Sequence, residues 1–414
     1  MVNKRTQTAH NTGEKIEPTN QMVVELGPLT NFLLPNGKFD KKEAKLVAGR
    51  IAGACYSPKG FSDFDDEEPS KTLQRSENIL ESGHHSVYDH IQISLRLTNI
   101  PKILAMILNN ENQYTTTERS YRYTKPTEDK SLTKTELSLY NKWFDIFVKL
   151  ISKEYGNVFD ERKITKLAQE NARYFLTVFA PTNMTYSIPL GQLNRICKWL
   201  RDYDDKKNDA ISQKLSPYIN EFLKQIEELG LIIPQLQKNE KKRKLSLFAT
   251  EDEKRLLWKE NFGSSYSVIY TGSFVLLGHL HRHRTLDYQM YIPKKFSAYV
   301  PTLLDSFPKY RKEWIADMKL VQDTFPQGQM VDIIEQGTLS NFILKCKERL
   351  CTHVLLETQT ATKNILDRFL ENNSDPDILE YLKQHSKGAR CTFPDYTCIQ
   401  PCGFKEGVTL TRRV

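Results

Sequence analysis

The chain has 414 residues, room for two or three domains with substantial cores, and its 39% hydrophobic and 27% charged content fits a soluble globular protein. No apolar run reaches the ~18 residues of a membrane-spanning helix, and Met1 to Asn20 is polar, without the apolar segment of a secretory signal. The formal charge of +8 suits an anionic partner or simply a lysine-rich surface, and seven cysteines without a secretory signal imply reduced thiols in the cytoplasm.

Residues 1–20 read as a disordered tail. Lys42 to Tyr56, with Ala44, Leu46, Val47, Ala48, Ile51, Ala52, Ala54 and Cys55, reads as a helix whose small residues allow close packing on a neighbour. Gly60 to Ser70 is an acidic loop, and Lys71 to Ser82 is a short helix ending at Gly83. Ile91 to Leu97 alternates strictly, as a strand does. Asn99-Ile100-Pro101 then turns into an apolar helix, with proline in its first turn. Leu137, Tyr140, Phe144, Phe147, Leu150 and Ile151 make 135–155 an amphipathic helix, followed by the Ile164–Leu176 segment and helices near 190–202 and 208–229. Lys238 to Lys244 is a basic run, read as a solvated linker in preference to a nucleic-acid or nuclear-targeting signal. Beyond it Ser265–Thr271 reads as a strand, Gly272-Ser273 as a turn and Phe274–Leu280 as a helix. Gln327 to Leu356 reads as a helix with Arg349 and His353 on one face. The last thirty or so residues show no helical or strand period.

Sliding the chain on itself by 172 residues superposes Ile103–Leu108 on Val275–Leu280. The two copies have complementary losses. After the first comes Glu118-Arg119-Ser120-Tyr121-Arg122-Tyr123, preceded by Asn110-Glu111-Asn112. After the second comes the basic triplet Arg282-His283-Arg284, followed by Met290, Ile292 and Lys294 in place of Glu, Ser and Arg.

Together these residues resemble the signature of the flavin-dependent thymidylate synthases: Arg-His-Arg, a short spacer, then Ser-x-Asn-Glu-x-Ser-x-Arg-Tyr. Gly83-His84-His85-Ser86-Val87-Tyr88-Asp89-His90 is similar to the family's Gly-His-x-Ser/Thr-x-x-x-His segment. Ala172-Arg173, Thr182 and Trp199-Leu200-Arg201 are similar to its later arginine sites. The resemblance covers Leu46 to Arg201 as a first copy and about 250 to 370 as a second. It implies an α+β fold of two tandem mixed helix-and-sheet domains packed as a pseudo-dimer. The implied layout is a tail (1–20), a nucleotide-binding copy (21–235), a basic linker (236–246), a flavin-binding copy (247–375) and a cysteine-containing tail (376–414). Two chains would imitate the family's four, so a homodimer is expected.

Arginine forks hold phosphate bidentately, and small hydroxyls complete its shell. By resemblance Glu118, Ser120, Arg122 and Arg173, with His279, form the nucleotide-binding set, and Arg201 polarises the pyrimidine so that its C5 carbon becomes nucleophilic. The flavin-contacting set is His84, Ser86, Arg282, His283, Arg284, Arg349 and His353. His279 and His281 form a His-x-His that also suits zinc, without an evident third and fourth ligand. Cys391, Cys398 and Cys402 are a second candidate zinc site, with His385, Cys346 or Cys351 as fourth ligand, against free thiols in an ordered tail. No glycine-rich phosphate loop of the Rossmann or Walker type occurs. The resemblance implies conversion of deoxyuridylate to thymidylate with FAD, methylenetetrahydrofolate as carbon donor and NADPH as reductant, with no cysteine bonded to the nucleotide. The alternatives are a related enzyme acting on another pyrimidine nucleotide and a non-catalytic nucleotide-binding protein. Neither a membrane nor a nucleic-acid partner is expected.

Overall fold

Two antiparallel sheets organise the chain, and in each a central strand pairs with a strand and a second strand that both precede it. The computed structural model describes residues 21–414 apart from 28–29, 31, 55–56, 59, 65, 84, 121–125, 127–131, 207, 239–242, 250–259, 282–284, 395, 397, 399–401 and 404–407. His84, Arg122, Arg282, His283 and Arg284 therefore lie outside the described residues.

In chain order the elements of the first half are β1 (Val23–Leu26), α1 (Lys41–Ala54), α2 (Pro69–Ser82), β2 (Gln92–Pro101), α3 (Lys102–Leu108), β3 (Thr115–Glu118), α4 (Lys134–Tyr155), α5 (Glu161–Ala172), β4 (Pro181–Pro189), α6 (Leu190–Asp204) and α7 (Ala210–Glu228). Then come β5 (Ser265–Ser273), α8 (Phe274–Leu280), β6 (Asp287–Tyr291), α9 (Pro308–Leu320), β7 (Met330–Thr338), α10 (Leu339–Arg349), α11 (Leu356–Asn372) and α12 (Pro376–Gln384). The run β2-α3-β3, helices, β4-α6 is thus repeated as β5-α8-β6, helix, β7-α10, with sheet orders β2-β4-β3 and β5-β7-β6.

The chain divides into two compact units. The first takes the described residues of Met1–Leu104, Gln113–Glu118 and Pro181–Leu245; the second takes Ala105–Asn112, Arg119–Ala180 and Ser246–Val414. Residues 119–180 thus group with the C-terminal part of the chain, where a tandem boundary near 236–246 would have grouped them with the first sheet.

In the first unit β2 carries the alternation expected of it, with Ile93, Leu95 and Leu97 buried, and extends to Pro101 through a bulge between Leu97 and Ile100. Asn99 sits there at φ 56, a conformation asparagine tolerates, and its N–H donates to Asn183 Oδ1 at 2.9 Å. In β4, Met184, Tyr186 and Ile188 alternate inward, and a proline at each end leaves no interior ladder donor missing. The helix expected at Lys42–Tyr56 is α1, and its small residues serve the predicted purpose. A Cβ on Gly49 would lie 2.3 Å from the Thr72 carbonyl oxygen of α2, so only glycine permits that crossing. The same corner is tied by Arg75, which donates to both Glu67 oxygens and to Gly49 O.

In the second unit α4 presents the expected apolar stripe to α9. Trp143 and Trp314 are fully buried and meet edge to face (centroids 4.7 Å apart, 79°), and Phe175 packs on Trp314 at 4.5 Å. Both indoles are satisfied, Trp143 by Asp317 (3.1 Å) and Trp314 by Tyr299 O (2.8 Å). The expected continuous helix over Gln327–Leu356 is corrected: Met330–Thr338 is the central strand β7, paired on both sides, and only Leu339–Arg349 is helical. Val331, Ile333 and Ile334 are β-branched residues buried between two partner strands, and Thr338 caps the helix by accepting from Asn341 N–H. Two outcomes test these packings by urea unfolding. Trp314→Ala is expected to cost about 3–5 kcal/mol, and Gly49→Ala about 1–3 kcal/mol, because backbone rather than a movable side chain opposes the new methyl.

Candidate active site

In the first unit β3 ends on Glu118, whose side chain is only 3% exposed and whose carboxylate is met by the Lys102 ammonium at 2.5 Å. Lys102 opens α3, so the two strands flanking β4 bring this ion pair to one corner of the sheet. An enclosed pair of this kind fixes geometry more than it adds stability. Thr182 is buried at the start of β4, in register with Ile100. Arg201 lies on α6, where its Nη1 donates to Gln237 Oε1 at 2.6 Å. One turn earlier Cys197 is fully buried, and burial pushes its thiol up to about 12. It therefore offers no thiolate nucleophile at neutral pH.

Ser86 stands exposed in the 3-10 turn His85–His90, which follows the point where Gly83, at φ 80, ends α2. Behind it Asp89 accepts twice from Arg195 Nη2, at 2.9 and 3.1 Å. A Cβ on Gly191 would lie 2.3 Å from Asp89 Oδ1. Glycine in the first turn of α6 is thus what seats the Ser86 turn on the helix that carries Arg201.

The second unit gathers residues from both halves of the chain. Arg173 is buried in the 3-10 turn Arg173–Phe175 after α5. The neighbouring Tyr174 hydroxyl donates to Glu357 Oε2 at 2.8 Å. Burial pushes the Glu357 carboxyl up, and hydrogen bonds from Ser273 and Tyr174, with the Arg173 charge, oppose that push. Ser273, just before α8, donates to Glu357 from its N–H (2.8 Å) and its hydroxyl (2.6 Å). Near the other end of α8, His279 Nδ1 lies 2.8 Å from Thr358 Oγ1. Glu357 and Thr358 are adjacent in the first turn of α11, so Tyr174, next to Arg173, and His279 are tied to one turn of helix. Ser120 belongs to this unit and is half-buried.

Arg349 closes α10 with its side chain 11% exposed and Nη2 at 3.6 Å from Glu348. The expectation that His353 shares a helix face with Arg349 is corrected: the helix ends at Arg349 and the chain turns directly after it. Cys351 N–H bonds Arg349 O, Val354 N–H bonds Cys351 O, and Arg390 N–H takes Leu350 O. Tyr288 on β6 is 2% exposed and meets the His281 ring edge to face (5.7 Å, 84°). Burial pushes its phenol well above the usual range, and the Arg349 charge opposes this. The Tyr288 hydroxyl and Gln289 Oε1 have no hydrogen-bond partner among the described residues. The two atoms stand on opposite faces of β6, so only the Tyr288 hydroxyl lies on the side that meets the His281 ring.

The position that lacks the basic triplet is structurally engaged. Asn110 Nδ2 donates to Ser246 Oγ (2.8 Å) and Tyr288 O (2.9 Å), and Glu111 Oε1 accepts from Ser246 N–H (2.5 Å) and hydroxyl (3.0 Å). Beneath the site, Glu335 of β7 is fully buried and accepts from Lys345 Nζ (2.5 Å), Tyr266 (2.6 Å) and Tyr270 (2.7 Å). Lys345 is one helical turn before Arg349 on α10, so this ion pair holds the helix that ends at the arginine. Cys391 and Cys398 are exposed and Cys402 is half-buried, and among the described residues no three His, Cys, Asp or Glu are gathered as a metal site. No described helix is long and apolar enough to cross a membrane.

Residues 39–208 match the family model described as Thy1, thymidylate synthase complementing protein. No curated protein matches the chain. Among solved structures, a Helicobacter pylori flavin-dependent thymidylate synthase ThyX complexed with FAD and dUMP is 15% identical, covering 45% of this chain and 95% of its own, with a TM-score of 0.27. A second Helicobacter pylori ThyX structure with FAD and dUMP is 15% identical over 50% of this chain and 99% of its own, with a TM-score of 0.29. The UMP/dUMP methylase PolB of Streptomyces cacaoi is 12% identical over 52% and 98%, also at 0.29. At such TM-scores these likenesses carry neither fold nor function. The buried pair beneath Arg349 gives a direct test. Lys345→Met leaves Glu335 without its counter-charge and is expected to cost about 3–5 kcal/mol in urea unfolding, whereas Lys345→Met with Glu335→Gln recovers most of it.

Proposed function

We propose that this chain, which belongs to the thymidylate synthase complementing protein family through residues 39–208, is an enzyme that uses a flavin to methylate C5 of a uridine nucleotide, most simply deoxyuridylate. The observation that supports this reading best is that the Arg173–Phe175 turn, through the Tyr174 hydroxyl, and α8, through Ser273 and His279, meet the first turn of α11 at Glu357 and Thr358. A residue from the half expected to hold nucleotide and the helix leading to the flavin triplet are thereby joined inside one unit. FAD, reduced by NADPH, would supply the hydride needed when the methylene carbon of methylenetetrahydrofolate leaves the folate nitrogens for C5 and the C5 proton is lost.

On this reading the chain's own residues bind, orient and polarise. Arg122, Arg173 and Ser120 take the phosphate, since arginine forks and hydroxyls match its oxygens. Glu118, held by Lys102, contacts the nucleotide from a fixed position. Arg201 places positive charge where electron density builds on the pyrimidine, which makes C5 the nucleophilic carbon. The triplet 282–284, His84, Ser86, Arg349 and His353 contact the flavin, with the Tyr288 hydroxyl as a polar atom available to it. No cysteine attack is required, in keeping with the buried, protonated thiols of Cys197 and Cys346. The same reading makes two chains, with four family-type copies, the working assembly.

The purified protein is expected to take up roughly one FAD per chain, and deoxyuridylate is expected to perturb its visible bands. Arg282→Ala should abolish flavin uptake, and Arg201→Ala should retain flavin and deoxyuridylate while losing about a hundredfold or more in turnover. A colourless protein that takes up no added flavin would overturn the enzymatic reading and leave nucleotide binding alone.

A further inference from the structure

Resting on the functional reading above, we propose that Thr358 and Glu357 are positioning residues that clamp α8 at both ends and thereby fix where the flavin-facing segment begins. Helix α8 spans Phe274–Leu280, about two turns, and a helix this short does not persist without tertiary support. Its support is specific. At the N-terminus the Ser273 hydroxyl oxygen accepts from Leu276 N–H at 3.1 Å, while the N–H and O–H of Ser273 both donate to Glu357. Near the C-terminus the ring of His279 is joined to Thr358, which is fully buried.

The chain is also held where it emerges beyond 282–284. Asn341 Nδ2 of α10 donates to Thr285 O at 2.9 Å, and Asn110 Nδ2 donates to Tyr288 O. The four anchors come from three places in the sequence: two hold α8 at Ser273 and His279, and two hold the backbone carbonyls of Thr285 and Tyr288. Neither Glu357 nor Thr358 belongs to the expected nucleotide or flavin sets. Thr358 has a second consequence: a bond to Nδ1 fixes the plane of the His279 ring. The hydroxyl of Thr358, not its bulk, is what the clamp uses.

The test compares full-length wild type with Thr358→Val, Thr358→Ser and Glu357→Gln by amide hydrogen exchange over Leu280–Leu286 and by FAD titration. Thr358→Val keeps the shape and loses the hydrogen bond. It is expected to speed exchange of that segment about tenfold and weaken FAD by about the same factor. Thr358→Ser should restore both, and Glu357→Gln, which replaces one acceptor oxygen with a donor, should loosen the segment from the Ser273 end. If Thr358→Val does not fold, His279→Phe removes the same bond from the other side and is read by exchange. Wild-type exchange and affinity in Thr358→Val would overturn the clamp, as would a Thr358→Ser variant as loose as Thr358→Val. A wild type that takes up no flavin would overturn the functional reading alone, with amide exchange still deciding the clamp.

Discussion

A carboxylate taken out of water must be met by donors, and this requirement fixes the second unit at three points. Desolvating a carboxylate costs several kcal/mol even after relaxation, so each one draws donors from wherever the chain can bring them. Glu136 accepts from Thr133 N–H and hydroxyl within its own helix cap, and from Thr177 N–H across the unit. Glu335 accepts from Lys345 and two tyrosines, and joins β7 to α10 and β5. Glu357 accepts from Ser273 and Tyr174, and joins α11 to the start of α8 and to the turn that carries Arg173. Burial pushes Glu136 and Glu357 up while these bonds pull them back. The apolar cluster around Trp143 and Trp314 supplies cohesion without direction; the carboxylates supply direction, because a hydrogen bond specifies partner and angle.

The repeated strand-helix-strand arrangement shows how one topology is put to two uses. Where α3 begins, Lys102 reaches Glu118 and holds the acidic residue expected to meet nucleotide. Where α8 begins, Ser273 is itself held by Glu357. The first helix start is a holder and the second is held, and this follows from a proline at position 101 and a serine at 273. Proline has no N–H to give, so the donor pair that binds Glu357 is unavailable in the first copy.

Much of this was legible in the sequence, and the limits have physical causes. The strict alternation of Ile91–Leu97, the stripe of 135–155 and the small residues of α1 each announce a local periodicity, and each is realised. The 172-residue slide finds β2-α3 and β5-α8 because helix and strand recur at the same spacing there. Gln327–Leu356 misleads because β7 buries Ile333, Ile334 and Glu335 in succession, on both faces of its sheet, a run that lacks period-two alternation. Arg173, Arg201, Ser86 and Arg349 are singled out by the family resemblance alone, each from a local motif. Lys102, Glu357 and Thr358 are not, since a threonine or glutamate in a first helical turn reads as an ordinary cap. Their roles depend on partners such as Ser273 and His279, 84 and 79 residues away. Local spacing does not encode such pairings.

The same reasoning bears on the missing triplet of the first copy. Asn110 gives both amide hydrogens to neutral acceptors, and Glu111 is buried and accepts twice from Ser246. Arginine at 110 would place a cation where two short neutral bonds are now made, and histidine at 111 would leave the Ser246 N–H and hydroxyl without their acceptor. One of those bonds runs to the carbonyl of Tyr288, on the strand that follows the surviving triplet. The position that lacks the basic triplet is therefore part of what holds the β6 strand in place. The residues at 110 and 111 thus carry a structural load of their own.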